Sequence, residues 1–108
     1  LQNKEGQLCD THSISAGLDY AGVSPQMAYL KEAGRVQFTY ATDTDVMKAY
    51  ELLAKEEGIF AALESSHAIS EVIRLAPTLD KKQIIVVNCS GRGDKDLFIV
   101  NKTLKFPV

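Results

Sequence analysis

The sequence predicts an α/β architecture: a largely parallel sheet with flanking helices. Three observations lead there. Segments with strand and helix periodicity alternate along the chain. Gln83-Ile84-Ile85-Val86-Val87-Asn88 is a nearly continuous β-branched run, the pattern of a strand covered on both faces. The residues after Thr42 place their apolar side chains on one helical face. With 108 residues, 45% hydrophobic and 24% charged, the chain has the size and composition of one globular domain with a core of its own.

The elements follow in order. Gln2 to Gln7 is polar and contains Gly6, as a turn between two strands would be, and Leu8 to Ser15 could hold a short strand. Ser24-Pro25-Gln26 reads as a helix start, with serine as N-cap and proline at the first helical position. That helix is expected to run to about Ala33 and stop at Gly34. Val36, Phe38 and Tyr40 alternate with Gln37 and Thr39, which is strand periodicity. Thr42 with Asp45 three residues on approximates a capping box. It opens a helix whose Val46, Met47, Tyr50, Leu53 and Ala54 share a face, whose Glu51 and Lys55 form an i,i+4 pair, and which Gly58 ends. Ser65 or Ser66 is the expected cap of a further helix, with Ile69, Val72, Ile73 and Ala76 facing inward and Pro77 stopping it. The apolar run to Asn88 follows, then Ser90-Gly91-Arg92-Gly93-Asp94, a last short apolar segment at Leu97 to Val100, and a tail that frays at Pro107. No repeat, low-complexity tract or internal linker is visible.

Composition excludes several function classes. A net charge of −2 offers no basic footprint for nucleic acid or anionic lipid. No apolar run approaches the roughly 18 residues of a membrane span, and no charged-then-apolar leader opens the chain. Two cysteines are too few for a disulfide scaffold. The expectation is a soluble, cytoplasmic protein. Leu1 is not an initiator methionine, so either a leader has been removed or the chain is a piece of a longer polypeptide.

Ligands of parallel α/β folds bind beyond the carboxyl ends of the strands. That rule selects the loops Gly17–Gly22, Glu64–His67 and Ser90–Asp96. In Ser90-Gly91-Arg92-Gly93 the glycines let backbone approach a ligand and the serine offers a hydroxyl; equally, the stretch is a glycine-rich turn. It is not a P-loop, because the glycine spacing is too short and no Lys-Ser/Thr pair follows. Glu64 either stabilises a helix N-terminus or faces a pocket as a proton-transfer or hydrogen-bonding group. Asp19 is a turn former or a latch in a glycine-flanked loop. Cys9, His12, His67 and Cys89 lack the paired spacing of a metal site. No G-x-S-x-G elbow accompanies His67, so a serine hydrolase is not indicated. Arg92-Gly93-Asp94 matches the tripeptide that integrins read, a coincidence in a chain without a secretory signature. On these residues alone, one reading is a non-enzymatic anion- or nucleotide-binding module built on Ser90–Gly93.

Three segments taken together resemble one family. His12-Ser13-Ile14-Ser15-Ala16-Gly17-Leu18-Asp19-Tyr20, Leu63-Glu64-Ser65-Ser66-His67-Ala68 and Asn88-Cys89-Ser90-Gly91-Arg92-Gly93-Asp94-Lys95-Asp96 are similar to the C-terminal part of tryptophan synthase β chains. Gly34-Arg35-Val36 and the acidic helix after Thr42 fit the same pattern, and the resemblance runs from about Thr11 to Leu104. It implies part of the larger cofactor-binding domain of a type II pyridoxal-phosphate enzyme, a lyase that joins L-serine and indole to give L-tryptophan and water. It implies as partners the remainder of the β chain, a second β copy and an α subunit that delivers indole. Carried over by motif, Ser90 would hydrogen-bond the pyridine nitrogen of pyridoxal phosphate and Glu64 would lie beside its ring. Gly17 and Gly91 would meet the cofactor through their backbone. Asp19 would latch the closed state over serine, and the carbonyls of Leu18, Tyr20 and Gly22 would border a monovalent cation (Na or K). The motifs of the family's cofactor-bearing lysine and phosphate cup are not found in these 108 residues, so the piece alone is expected to be inactive. Where the family commonly reads Pro-Gly-Val-Gly-Pro-Glu-His, this chain has Ala21-Gly22-Val23-Ser24-Pro25-Gln26-Met27, and Ala61 stands where a proline is usual. Both changes free backbone that proline would restrict.

Overall fold

A computed structural model describes residues 1–104; the fraying expected at Pro107 lies outside them. The described residues form four α-helices: α1 (Pro25–Glu32), α2 (Asp43–Glu57), α3 (Leu63–Leu75) and α4 (Leu97–Leu104). Three short 3-10 turns accompany them at Ala16–Leu18, Ala76–Thr78 and Asp94–Asp96.

No strand forms among the described residues, which overturns the expected parallel sheet with flanking helices. The physical reason is that β-propensity describes a side chain's fit to a pleated surface, and a strand exists only where a neighbouring strand takes its backbone groups. The run 83–88 carries no regular secondary structure, no ladder joins it to another described segment, and Ile84 and Val86 are 88% and 90% exposed. Leu8–Ser15 and Val36–Tyr40 likewise form no strand among the described residues. All that remains of the predicted strands is one antiparallel bridge between Gln2 and Leu8. The turn it closes is the predicted one: Asn3 Oδ1 accepts from the backbone N–H of Glu5 at 3.1 Å and of Gln7 at 2.8 Å.

The chain divides into two compact units, Leu1–Thr39 and the part from Tyr40 on. In the first, α1 starts as its sequence predicts. The Ser24 hydroxyl accepts from the Met27 N–H at 3.3 Å, Pro25 occupies the first helical position, and Gly34 follows the last turn.

In the second unit α2 is the best-specified element. The Thr42 hydroxyl accepts from Asp45 N–H at 3.3 Å, and Asp45 Oδ2 accepts from Thr42 N–H at 3.2 Å, completing the capping box. Hydrogen bonding from the Thr42 hydroxyl, then from its N–H, holds the Asp45 carboxyl below the usual carboxylate range. The Glu51–Lys55 pair closes at 2.7 Å. Gly58 ends the helix at φ +68°, a left-handed conformation that any L side chain would strain.

Helix α2 packs against α3. The buried apolar side chains are Val46, Met47, Ala49, Tyr50, Ala61, Ala62, Leu63 and Val100. The Tyr50 and Phe60 rings lie 6.2 Å apart. The start of α3 departs from expectation: the helix begins at Leu63, its N-cap is Ala62, and Ser65 and Ser66 are buried in its first turn rather than capping it. The Ser66 hydroxyl donates back to the Ala62 carbonyl at 3.1 Å. Ile69 and Val72 are only half-buried, Ile73 is 43% exposed and Ala76 is exposed, so the buried end of α3 is its N-terminus. Leu97 to Val100 opens a helix and buries only Val100. No helix among the described residues is long and apolar enough to cross a membrane.

Candidate functional site

Two segments thirty residues apart meet at the N-terminus of α3. A helix start exposes backbone N–H groups that need partners, and Ala62 has no side-chain oxygen to offer one. The partner comes from the later loop: Asp96 Oδ2 accepts from Leu63 N–H at 2.9 Å, and both residues are buried. Asp96 thus caps a helix that begins thirty-three residues before it. The Gly93 N–H donates to the Phe60 carbonyl at 2.9 Å, and the Ser65 hydroxyl donates to the Ser90 carbonyl.

This close approach requires glycine at 93. A Cβ there would stand 2.4 Å from the Ala61 carbonyl oxygen and 2.6 Å from that of Phe60, both backbone atoms. Gly91 has φ +74°, and a Cβ on it would meet Ala62 Cβ at 3.3 Å. The glycine-rich loop is therefore docked edge-on to the helix start, with the Ser90 side chain exposed.

Electrostatics tighten the same contact. Lys95 Nζ donates to Glu64 Oε2 at 2.9 Å and to both oxygens of Asp96, at 2.7 and 2.9 Å. The hydrogen bonds from Lys95 to Asp96, then to Glu64, push its ammonium above the ordinary lysine value. On the other side of Asp96, the Tyr50 hydroxyl is buried with no hydrogen-bond partner among the described residues. Burial, then the Asp96 charge, raises its pKa. Arg92 and Asp94 pair with each other at 3.1 Å, both well exposed. His67 binds the Leu63 carbonyl through Nδ1 at 2.8 Å, a local helix contact.

The structure brings Glu64, Ser90 and Gly91 to one place within the second unit. The other expected site residues share one loop of the first. Gly17 and Leu18 lie in the 3-10 turn after Ser15, a residue 1% exposed whose buried hydroxyl has no hydrogen-bond partner among the described residues. The Asp19 carbonyl accepts from the Thr11 hydroxyl at 3.1 Å, and the Asp19 side chain is exposed. Leu18, Tyr20 and Gly22 are exposed, and the Tyr20 ring lies where a Cβ on Gly22 would meet it at 3.4 Å. Cys9 and Cys89 are free, exposed thiols. Among the described residues no three His, Cys, Asp or Glu side chains gather as a metal set.

Sequence reasoning missed Lys95 and Asp96 as individual contributors. A signal was present. A helix whose true N-cap is alanine needs an outside acceptor, and the Asp94-Lys95-Asp96 stretch offers two.

The joined segments present an exposed Ser90, a left-handed Gly91 and a half-buried Glu64 carboxylate. Comparison with known proteins agrees with the earlier resemblance. No family model matches the chain. The tryptophan synthase beta chain of Helicobacter hepaticus is 60% identical over 104 residues, which is 96% of this chain and 24% of that protein. Tryptophan synthase beta chain 1 of Chlamydia caviae is 58% identical over 97 residues, 90% of this chain and 24% of its own. The tryptophan synthase beta chain of Allorhizobium ampelinum is 51% identical over 104 residues, 96% of this chain and 26% of its own. The chain spans about a quarter of the length of these curated relatives.

Proposed function

We propose that this chain, related along nearly its whole length to a quarter of the tryptophan synthase beta chain, forms one wall of the cofactor site of a tryptophan-forming lyase. The observation that carries the reading is the docking of the Ser90–Gly93 loop onto the start of α3. It brings Ser90, Gly91 and Glu64, the three second-unit residues the resemblance assigns to the cofactor, into one place.

In this reading the chain belongs to the C-terminal part of a cytoplasmic β chain. Its partners are the rest of that chain, a second copy, an α subunit, and the substrates L-serine and indole. Bound pyridoxal phosphate supplies the electron sink for replacing the serine hydroxyl by indole. Ser90 accepts or donates a hydrogen bond at the pyridine nitrogen through a neutral hydroxyl. A neutral partner does not hold a proton on that nitrogen as a carboxylate would, so it keeps the ring a weaker sink and favours elimination over competing reactions. Glu64 lies beside the ring and Gly91 meets it with bare backbone. Gly17 adds backbone contact, Asp19 latches the loop over bound serine, and the carbonyls of Leu18, Tyr20 and Gly22 border a monovalent cation.

The test is the visible absorption spectrum of the complete protein with pyridoxal phosphate. The expected result is a cofactor band that changes on adding L-serine and recovers on adding indole. In Ser90→Asp, the serine-dependent change is redirected and by-products of transamination appear. A complete protein that binds no pyridoxal phosphate, or a Ser90→Asp variant with unchanged spectra and products, overturns the reading.

A further inference from the structure

One ammonium group joins the two carboxylates at the start of α3. Lys95 Nζ reaches Glu64 at 2.9 Å and Asp96 at 2.7 and 2.9 Å, drawing its N–H donors onto carboxylate oxygens. The two carboxylates differ in freedom. The Asp96 side chain is 7% exposed and is fixed by the Leu63 N–H, whereas that of Glu64 is 28% exposed. The rigid member anchors the lysine, and the lysine holds the freer member.

We propose that Lys95 is the positioning residue for Glu64, tethering its carboxylate to the buried Asp96 cap and so to the loop that carries Ser90. This rests on the reading of Glu64 as the cofactor's neighbour. Without the ammonium, Glu64 and Asp96 stand as like charges with no cation between them, which favours a proton on the more exposed Glu64. Arg92 is engaged with Asp94, the Tyr50 hydroxyl is buried without a hydrogen-bond partner among the described residues, and His67 is bonded to its own helix. Glu64 and Lys95 lie thirty-one residues apart in sequence, so the tether also joins the two segments of the site.

The experiment titrates Glu64 directly in the complete protein labelled with ¹³C at glutamate carboxyls, its signal identified by its loss in Glu64→Gln. Lys95→Met removes the charge. Lys95→Gln removes it with a polar group retained, should the methionine variant fail to fold. Lys95→Arg restores it. The expected result is that Glu64 binds its proton about tenfold more tightly in Lys95→Met and Lys95→Gln, and within about twofold of the parent in Lys95→Arg. A purely structural lysine would not give that rescue pattern. An unchanged Glu64 titration in folded Lys95→Met or Lys95→Gln overturns the proposal. The pH dependence of the bound cofactor's absorption, read in the same variants, separates the two claims. If Glu64 moves with Lys95 while the cofactor band is indifferent to Glu64→Gln, the tether stands and Glu64's place beside the ring falls.

Discussion

The first thirty-nine residues and the part from Tyr40 on hold their candidate site residues by different means. Every buried apolar side chain of the described residues belongs to the second unit, from Val46 to Val100; the first unit's fully buried side chain is a serine, Ser15. The first unit uses short-range hydrogen bonds, such as Asn3 around its turn, Ser24 on α1 and Thr11 on Asp19, together with one from the Leu1 amino group to the Ala21 carbonyl. The second relies on contacts between segments thirty residues apart, through Asp96, Gly93 and Lys95. Local bonds reproduce a loop's shape without fixing it against a core, whereas a buried cap and a backbone-to-backbone approach leave one arrangement.

The sharpest way to break this contrast is at its core. Leu63 is fully buried at the point where α3 meets the later loop. Leu63→Ala should cost about 3 to 4 kcal/mol in urea unfolding of the complete protein; a loss below about 1 kcal/mol would mean the helix start is not the anchor. Gly93→Ala comes next, at about 2 to 3 kcal/mol, because its Cβ has only backbone to displace. On the proposed reading that variant also weakens pyridoxal-phosphate binding, since the loop must lift to accept the methyl group. Thr42→Ala should cost about 1 kcal/mol by removing the α2 cap. The corresponding change in the first unit, Ser24→Ala, should cost about 0.5 kcal/mol or less, and amide exchange should be faster in α1 than in α2.

The pH dependence sharpens the comparison further, because both resolved carboxylate and lysine effects lie in the second unit. Lys95 is raised above the ordinary lysine value of 10.5 by Asp96 and Glu64. Its contribution to stability is fully present below the unfolded value and is lost as pH rises through the raised one. Asp45 is lowered from 3.8 by Thr42, so its contribution is present above that value and fades as pH falls through the lowered one. Denaturation of the parent and of Thr42→Ala should therefore diverge at neutral pH and converge in acid. Parallel curves down to strong acid would remove the capping box from the account.

Much of the local structure was legible in the sequence. Ser24-Pro25, Thr42 with Asp45, Glu51 with Lys55, and Gly58 each act within one or two helical turns, and each does what its spacing predicts. The strands failed for the opposite reason. Ile84 to Val87 has strand composition, but pairing depends on a partner that the run itself does not specify. Of the candidate site, Glu64, Ser90 and Gly91 were visible as special residues, and the structure joins them. Lys95 and Asp96 were not singled out because their roles appear only when the loop is laid against α3.

The sequence by itself determined where helices α1 and α2 begin and end, the turn at Asn3–Gln7, and the similarity to tryptophan synthase β chains. Caps, turns and side-chain periodicity are local signals that a linear pattern carries in full. Tertiary structure alone decided that α3 starts at Leu63 under a cap from Asp96, that Ser65 is buried holding Ser90, and that one lysine serves two carboxylates. It also decided that the most apolar run stays largely exposed and outside any strand. Each of these depends on which distant residue supplies the missing hydrogen-bond partner, and a buried backbone group takes the nearest one in space.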